Sequence, residues 1–185
     1  MSYCRLCWGC IFIVLSFVTI SQSRGCTIFT ISSPDDKQVF FGSNEDHKYK
    51  YRNITAIWFK PGDNELFGAA YTGWYIPDYQ WEGCTWDELL MGGLNSEGLC
   101  FDMNGVPASE VVINKSKPLW PSKCYTVYAL EHCSTVEEVI ELYRTYRFPD
   151  ITPSSLQLHY ADASGDAVVI SIDTNGSLAF TRKNN

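Results

Sequence analysis

The chain has 185 residues, 45% of them apolar and 15% aromatic, enough for one packed domain and too many for a disordered chain. Acidic side chains outnumber basic ones 21 to 14, a formal charge of −7. The first 25 residues hold two arginines and no acid, so the remainder carries 12 bases against 21 acids, a charge of −9. With no basic patch, nucleic acid is excluded as a partner.

Residues 1–25 read as a secretion signal peptide: Arg5 in a basic start, an apolar run from Ile11 to Ile20, then Ser23 and Gly25 three and one residues before Cys26. The run is too short to span a bilayer by itself. Counting from Trp8 lengthens it, so an uncleaved anchor stays open as an alternative. Cleavage after Gly25 would leave residues 26–185 as a mature domain with no stable membrane span, secreted or held outside the cytoplasm. Cys4, Cys7 and Cys10 leave with the leader; their spacing suggests a metal site, but no histidine is near. No metal or cofactor is assigned. In the mature chain Cys84, Cys100, Cys124 and Cys133 are an even set, free to form two disulfides in an oxidising compartment with pairing unspecified.

Cys26 to Ile31 alternates as a strand, with Phe29 and Ile31 on the face opposite Ile28. Ser33 to Asp36 is a turn, and Gln38 to Phe41 returns as the second strand of a hairpin. Strands follow at Ala56–Lys60 and Leu66–Tyr71. The stretch from Gly73 to Asp87 is irregular and aromatic, suited either to a surface loop or to the wall of an apolar acyl pocket. A turn at Asn95–Gly98 separates two strands, the second ending at Asn104. Helical spacing runs from Trp120 to His132. Ser134 and Glu137 form a capping box for a second helix reaching about Tyr146, with Val136, Val139, Ile140 and Tyr143 on one face. Strands at Leu156–Asp162, Ala167–Ile172 and Leu178–Thr181 close the chain. Sheet, helix pair, sheet is the order of an α+β layered fold.

Three stretches carry a resemblance. Cys26-Thr27 after a removable leader is similar to the nucleophile of the linear-amide C–N hydrolases, the choloylglycine hydrolase and penicillin V acylase group of N-terminal-nucleophile enzymes. Phe41-Gly42-Ser43-Asn44-Glu45-Asp46 resembles the group's F-G-R-N-x-D. Gly93-Leu94-Asn95-Ser96-Glu97-Gly98-Leu99, followed by Asn104, resembles its G-M-N-E-K-G-L and the asparagine after it. The resemblance implies an αββα four-layer sandwich, here cut short at the C-terminus, and hydrolysis of a small-molecule N-acyl amide without a cofactor. Carried over by position, Cys26 is the nucleophile, Asp46 holds its α-amine, and Asn104 supplies the oxyanion-hole amide. Ser43 stands where the group has an arginine, and the sequence stops before the group's second catalytic asparagine. The alternative is an inactive or truncated relative serving as a secreted binding or structural module. The acyl group, the amine and the oligomeric state are not specified.

Overall fold

The computed structural model describes residues 26–33, 35, 38–44, 55–59, 66, 68–72, 91–122, 125–148 and 156–183. Nine strands and two helices are present among them. Strands β1 (Thr27–Ser32) and β2 (Val39–Asn44) form an antiparallel hairpin in which Thr30 faces Phe41 and Thr27 faces Asn44. The other seven build one antiparallel sheet in chain order: β3 (Thr55–Phe59), β4 (Gly68–Thr72), β5 (Gly92–Asn95), β6 (Cys100–Gly105), β7 (Leu156–Ala161), β8 (Ala167–Ile172) and β9 (Leu178–Arg182). Helices α1 (Tyr125–His132) and α2 (Val136–Thr145) intervene between β6 and β7.

The sheet has two differently built faces. Phe101 lies opposite Tyr160, Tyr160 opposite Val168 and Leu158 opposite Ile170, so these side chains share one face. The helices cover it. Val136, Val139, Ile140 and Tyr143, spaced for one side of α2, are all buried there. The hydroxyls of Tyr143 and Tyr160 meet at 2.9 Å inside this core, so neither aromatic ring buries an unpaired oxygen. Gly93 lets α1 approach, because a Cβ there would sit 2.8 Å from the Ala69 carbonyl and 2.9 Å from Leu130 Cδ1.

Two expectations shift. The capping box is Thr135 with Glu138, one residue later than Ser134 with Glu137: Thr135 Oγ1 accepts from the Glu138 amide at 3.2 Å, and Glu138 Oε2 accepts from the Thr135 amide at 3.0 Å. Val136 begins the buried face, and its amide donates to Asp162 Oδ2 at 2.9 Å, which fixes that register. The first helix begins at Tyr125, not at Trp120. Trp120 is instead held in an extended segment by its amide, which donates to the Arg147 carbonyl at 3.2 Å. Its indole is buried among Tyr125, Tyr143, Tyr146 and Phe148.

The hairpin covers the opposite face. Thr30 Oγ1 lies 3.3 Å from His159 Nε2, and the Phe41 ring meets the same imidazole edge-on at 5.5 Å. Helix pair, seven-stranded sheet and hairpin are three layers of an α+β fold. On the outer side of the hairpin Phe29, Ile31 and Phe40 are exposed.

Candidate active site

Cys26 directly precedes β1 and is half-buried. Even-numbered residues of β1 turn toward the large sheet: Ile28, Thr30 and Ser32 are partly covered, whereas Thr27, Phe29 and Ile31 are exposed. Cys26 continues the covered set by the two-residue period of a strand.

Contacts at two levels give the direction of β1. Lys183 Nζ donates to both Ser32 Oγ at 3.3 Å and the Gly165 carbonyl at 3.1 Å, beyond the end of β7. Thr30 lies over His159, inside β7. Moving from Ser32 back to Thr30 therefore means moving toward the start of β7. That end of β7 pairs with the end of β6, where Gln157 opposes Asn104. β1 also packs against β6. The Cys26 end of the hairpin thus runs toward the Asn104 end of β6.

Three polar side chains share the hairpin-facing side of β6 and β7. Asp102 is opposite His159, and Asn104 follows two residues after Asp102. Asp102 is fully buried, with Oδ1 accepting from the Met103 amide at 2.6 Å. Burial holds the His159 pKa below the ordinary value, and the negative charge of Asp102 opposes this only in part. The Oδ1 of Asn104 is buried and has no hydrogen-bond partner among the described residues. Such an atom ordinarily costs about 1–3 kcal/mol, so this carboxamide holds unused hydrogen-bonding capacity.

Asp46 lies outside the described residues. The last described position of β2, Asn44, is paired with Thr27, so the chain leads into the Asp46 segment from beside Cys26. Ser43, opposite Ile28, is exposed. Cys84, Cys124 and the aromatic stretch from Gly73 to Asp87 also fall outside. Cys100 and Cys133 are free thiols, both pushed up to about 12 by burial, so neither is a nucleophile near neutral pH.

Asn95 is the residue whose role sequence reading missed. It is buried, and its Nδ2 donates to the carbonyls of Leu130 and Cys133 at 2.7 and 2.8 Å, where α1 ends. Its Oδ1 accepts from the amides of Glu97 and Leu99 at 3.1 and 3.0 Å. One side chain closes the β5–β6 turn and satisfies carbonyls at a helix end. The turn itself was legible; the helix partner was not.

Two variants of the conjugated bile acid hydrolase of Clostridium perfringens superpose with TM-scores of 0.63 and 0.62, at 19% and 18% identity, over 85% and 86% of this chain and 51% of each of theirs. Penicillin V acylase of Agrobacterium tumefaciens gives a TM-score of 0.52 at 16% identity, over 84% of this chain and 49% of its own. The chain shares their fold. The resemblance read from Cys26-Thr27, from Phe41 to Asp46 and from Gly93 to Leu99 with Asn104 is thereby borne out in the fold. The chain spans about half the length of the solved structures it matches. No family model matches the sequence, and comparison with characterised proteins by sequence finds no match.

Proposed function

We propose that the chain is an amidohydrolase that cleaves a linear, non-peptide N-acyl amide through an N-terminal cysteine. The observation that carries this reading is the buried Asn104 Oδ1, without a hydrogen-bond partner among the described residues, at the strand end toward which Cys26 runs. The fold shared with a bile acid hydrolase and a penicillin acylase supports the reaction class.

Export and removal of residues 1–25 would put a thiol and an α-amine on one residue. An ordinary thiol and α-amine both titrate near pH 8, so the amine is a serviceable base for the thiol. The thiolate attacks the amide carbonyl, and the Asn104 amide donates to the developing oxyanion. Asn104 Nδ2 serves this role if the carboxamide rotates to exchange its oxygen and nitrogen. The ammonium protonates the departing amine, and water releases the acyl group from sulfur. Asp46 balances and orients the amine. The αββα sandwich belongs to the same reading: the exposed Phe29, Ile31 and Phe40 are the surface on which a fourth layer would pack.

The test is acyl release from a panel of N-acyl amides, with a conjugated bile acid and penicillin V first, by the exported chain and its variants. Cys26→Ala should abolish release, and Asn104→Ala should lower kcat about 100-fold. Full hydrolysis by Cys26→Ala would refute the proposal. The competing reading, a secreted binding module without chemistry, is favoured by the exposed Ser43 in place of an arginine. Stoichiometric acylation of Cys26 by a substrate would rule it out.

A further inference from the structure

On the helix-covered side of the sheet, away from Cys26 and Asn104, lies a cavity of about 500 Å3. It opens between the segment 111–117, the end of α2 and the turn joining β8 to β9. Its size falls within the range of about 300–1,000 Å3 common to small-ligand sites.

The cavity is apolar in its walls and cationic at its polar end. Phe148, Leu178 and Phe180 supply apolar surface, and Val112 closes one side. Gly176 sets that side, because a Cβ there would lie 2.9 Å from both Val112 Cγ2 and the Glu110 carbonyl. Three cations, Lys117, Arg144 and Arg147, line it, and among the described residues no acidic one does. That is unexpected in a chain of net charge −7.

Among the described residues only one of the three, Arg144, has a carboxylate partner. Arg144 pairs with Glu141 at 2.8 Å and lies over the Phe180 ring at 5.3 Å. Lys117 Nζ donates to the Arg144 carbonyl. Arg147 donates from Nε to the Lys117 carbonyl at 3.1 Å and from Nη1 to the Phe148 carbonyl at 3.4 Å. Carbonyls fix the two cations in place but do not cancel their charge. Among the described residues no carboxylate pairs with either. Two oriented, partly buried positive charges beside aromatic walls are what a ligand with one anionic head and an apolar body requires.

The geometry points to this cavity as a second binding site, for an amphiphilic carboxylate, on the sheet face opposite the cysteine. It does not depend on the catalytic reading, since none of its residues takes part in that site. The apolar body packs on Phe148, Leu178 and Phe180, and the carboxylate takes the unused N–H groups of Lys117 and Arg147.

Calorimetric titration of the full chain with dodecanoate, dodecan-1-ol and dodecylammonium tests it. Dodecanoate should bind one to one, about tenfold or more tighter than either analogue. Lys117→Gln and Arg147→Gln should each weaken dodecanoate by about tenfold, one charge-assisted bond each. Ser177→Trp, on the exposed rim, should block the cavity without touching the core. Asn104→Ala should leave binding unchanged. Equal affinity for dodecanoate and dodecylammonium would overturn the proposal, as would unaltered binding in Lys117→Gln and Ser177→Trp. So would loss of binding in Asn104→Ala, which would locate the ligand at the other site. Should Arg147→Gln fail to fold, the comparison of the three ligands on the native chain and the other variants still decides.

Discussion

Thr30 and His159 meet across two sheets, hydroxyl to imidazole Nε2 at 3.3 Å. This contact couples the strand that follows Cys26 to the strand that pairs with Asn104, so the imidazole is a spacer between the layers that carry the two residues.

Acid should loosen that coupling. Burial lowers the folded pKa of His159 below its unfolded value, near 6.5. Between those two values the unfolded chain holds more protons on this residue, so stability falls as pH drops from about 7. Chemical denaturation at pH 7.5 and 5.5 should show this loss, and His159→Gln should remove the part due to the imidazole. An unchanged pH dependence in that variant would mean that His159 is not a source of it.

Asn95→Ala should be among the more damaging single changes in the domain. It removes four hydrogen bonds, three of them buried, and strands the carbonyls of Leu130 and Cys133. A loss of about 3 kcal/mol is expected, measured as a shift in the urea midpoint without a change in slope.

Asp162 joins α2 to the β7–β8 turn. Its Oδ2 accepts from the Val136 amide at 2.9 Å, and its Oδ1 accepts from the Ser164 amide and hydroxyl at 2.9 and 2.5 Å. Asp162→Ala should cost about 2–3 kcal/mol by the same measurement, from a freed helix N-terminus and an open turn. Ser164→Ala, which removes the hydroxyl's bond to Asp162 and its long contact with the Asp166 amide at 3.4 Å but keeps the Ser164 amide bond, should cost about 1 kcal/mol.

Thiol chemistry should separate the cysteines. Cys100 and Cys133 are pushed up to about 12, and Cys100 Sγ also donates to the Ala161 carbonyl at 3.4 Å. Brief iodoacetamide treatment of the native chain at pH 7.5, followed by peptide mass analysis, should leave both unmodified and alkylate Cys26. Denaturant should make all three react alike.

Much of the fold was legible because its signals are local. The alternation of Ile28 and Thr30 against Phe29 and Ile31 is the period of a strand, and it separated the two faces of the hairpin; which of them is covered came from the large sheet beneath it. Val136, Val139, Ile140 and Tyr143 gave the buried side of α2. The capping box was not decidable from sequence, because Ser134-Thr135 and Glu137-Glu138 satisfy the same spacing in two registers. The choice is made by Asp162, 26 residues from Val136. Asn95 was legible as a turn residue, but its bonds to Leu130 and Cys133 cross more than 30 residues. Trp120 suited a helical pattern and was claimed instead by the Arg147 carbonyl. At the candidate site, Cys26 and Asn104 were readable from motif order. That Asn104 turns to the hairpin side of the sheet came only from the pairing of Asp102, two residues before it, with His159.

The central claim is that Cys26 becomes the first residue of the working protein. Intact-mass analysis of the exported, purified chain tests it most directly. The expected result is a single species beginning at Cys26, with its thiol and α-amine unmodified. A mature chain beginning at any other residue, or a lipid attached to Cys26, would contradict it.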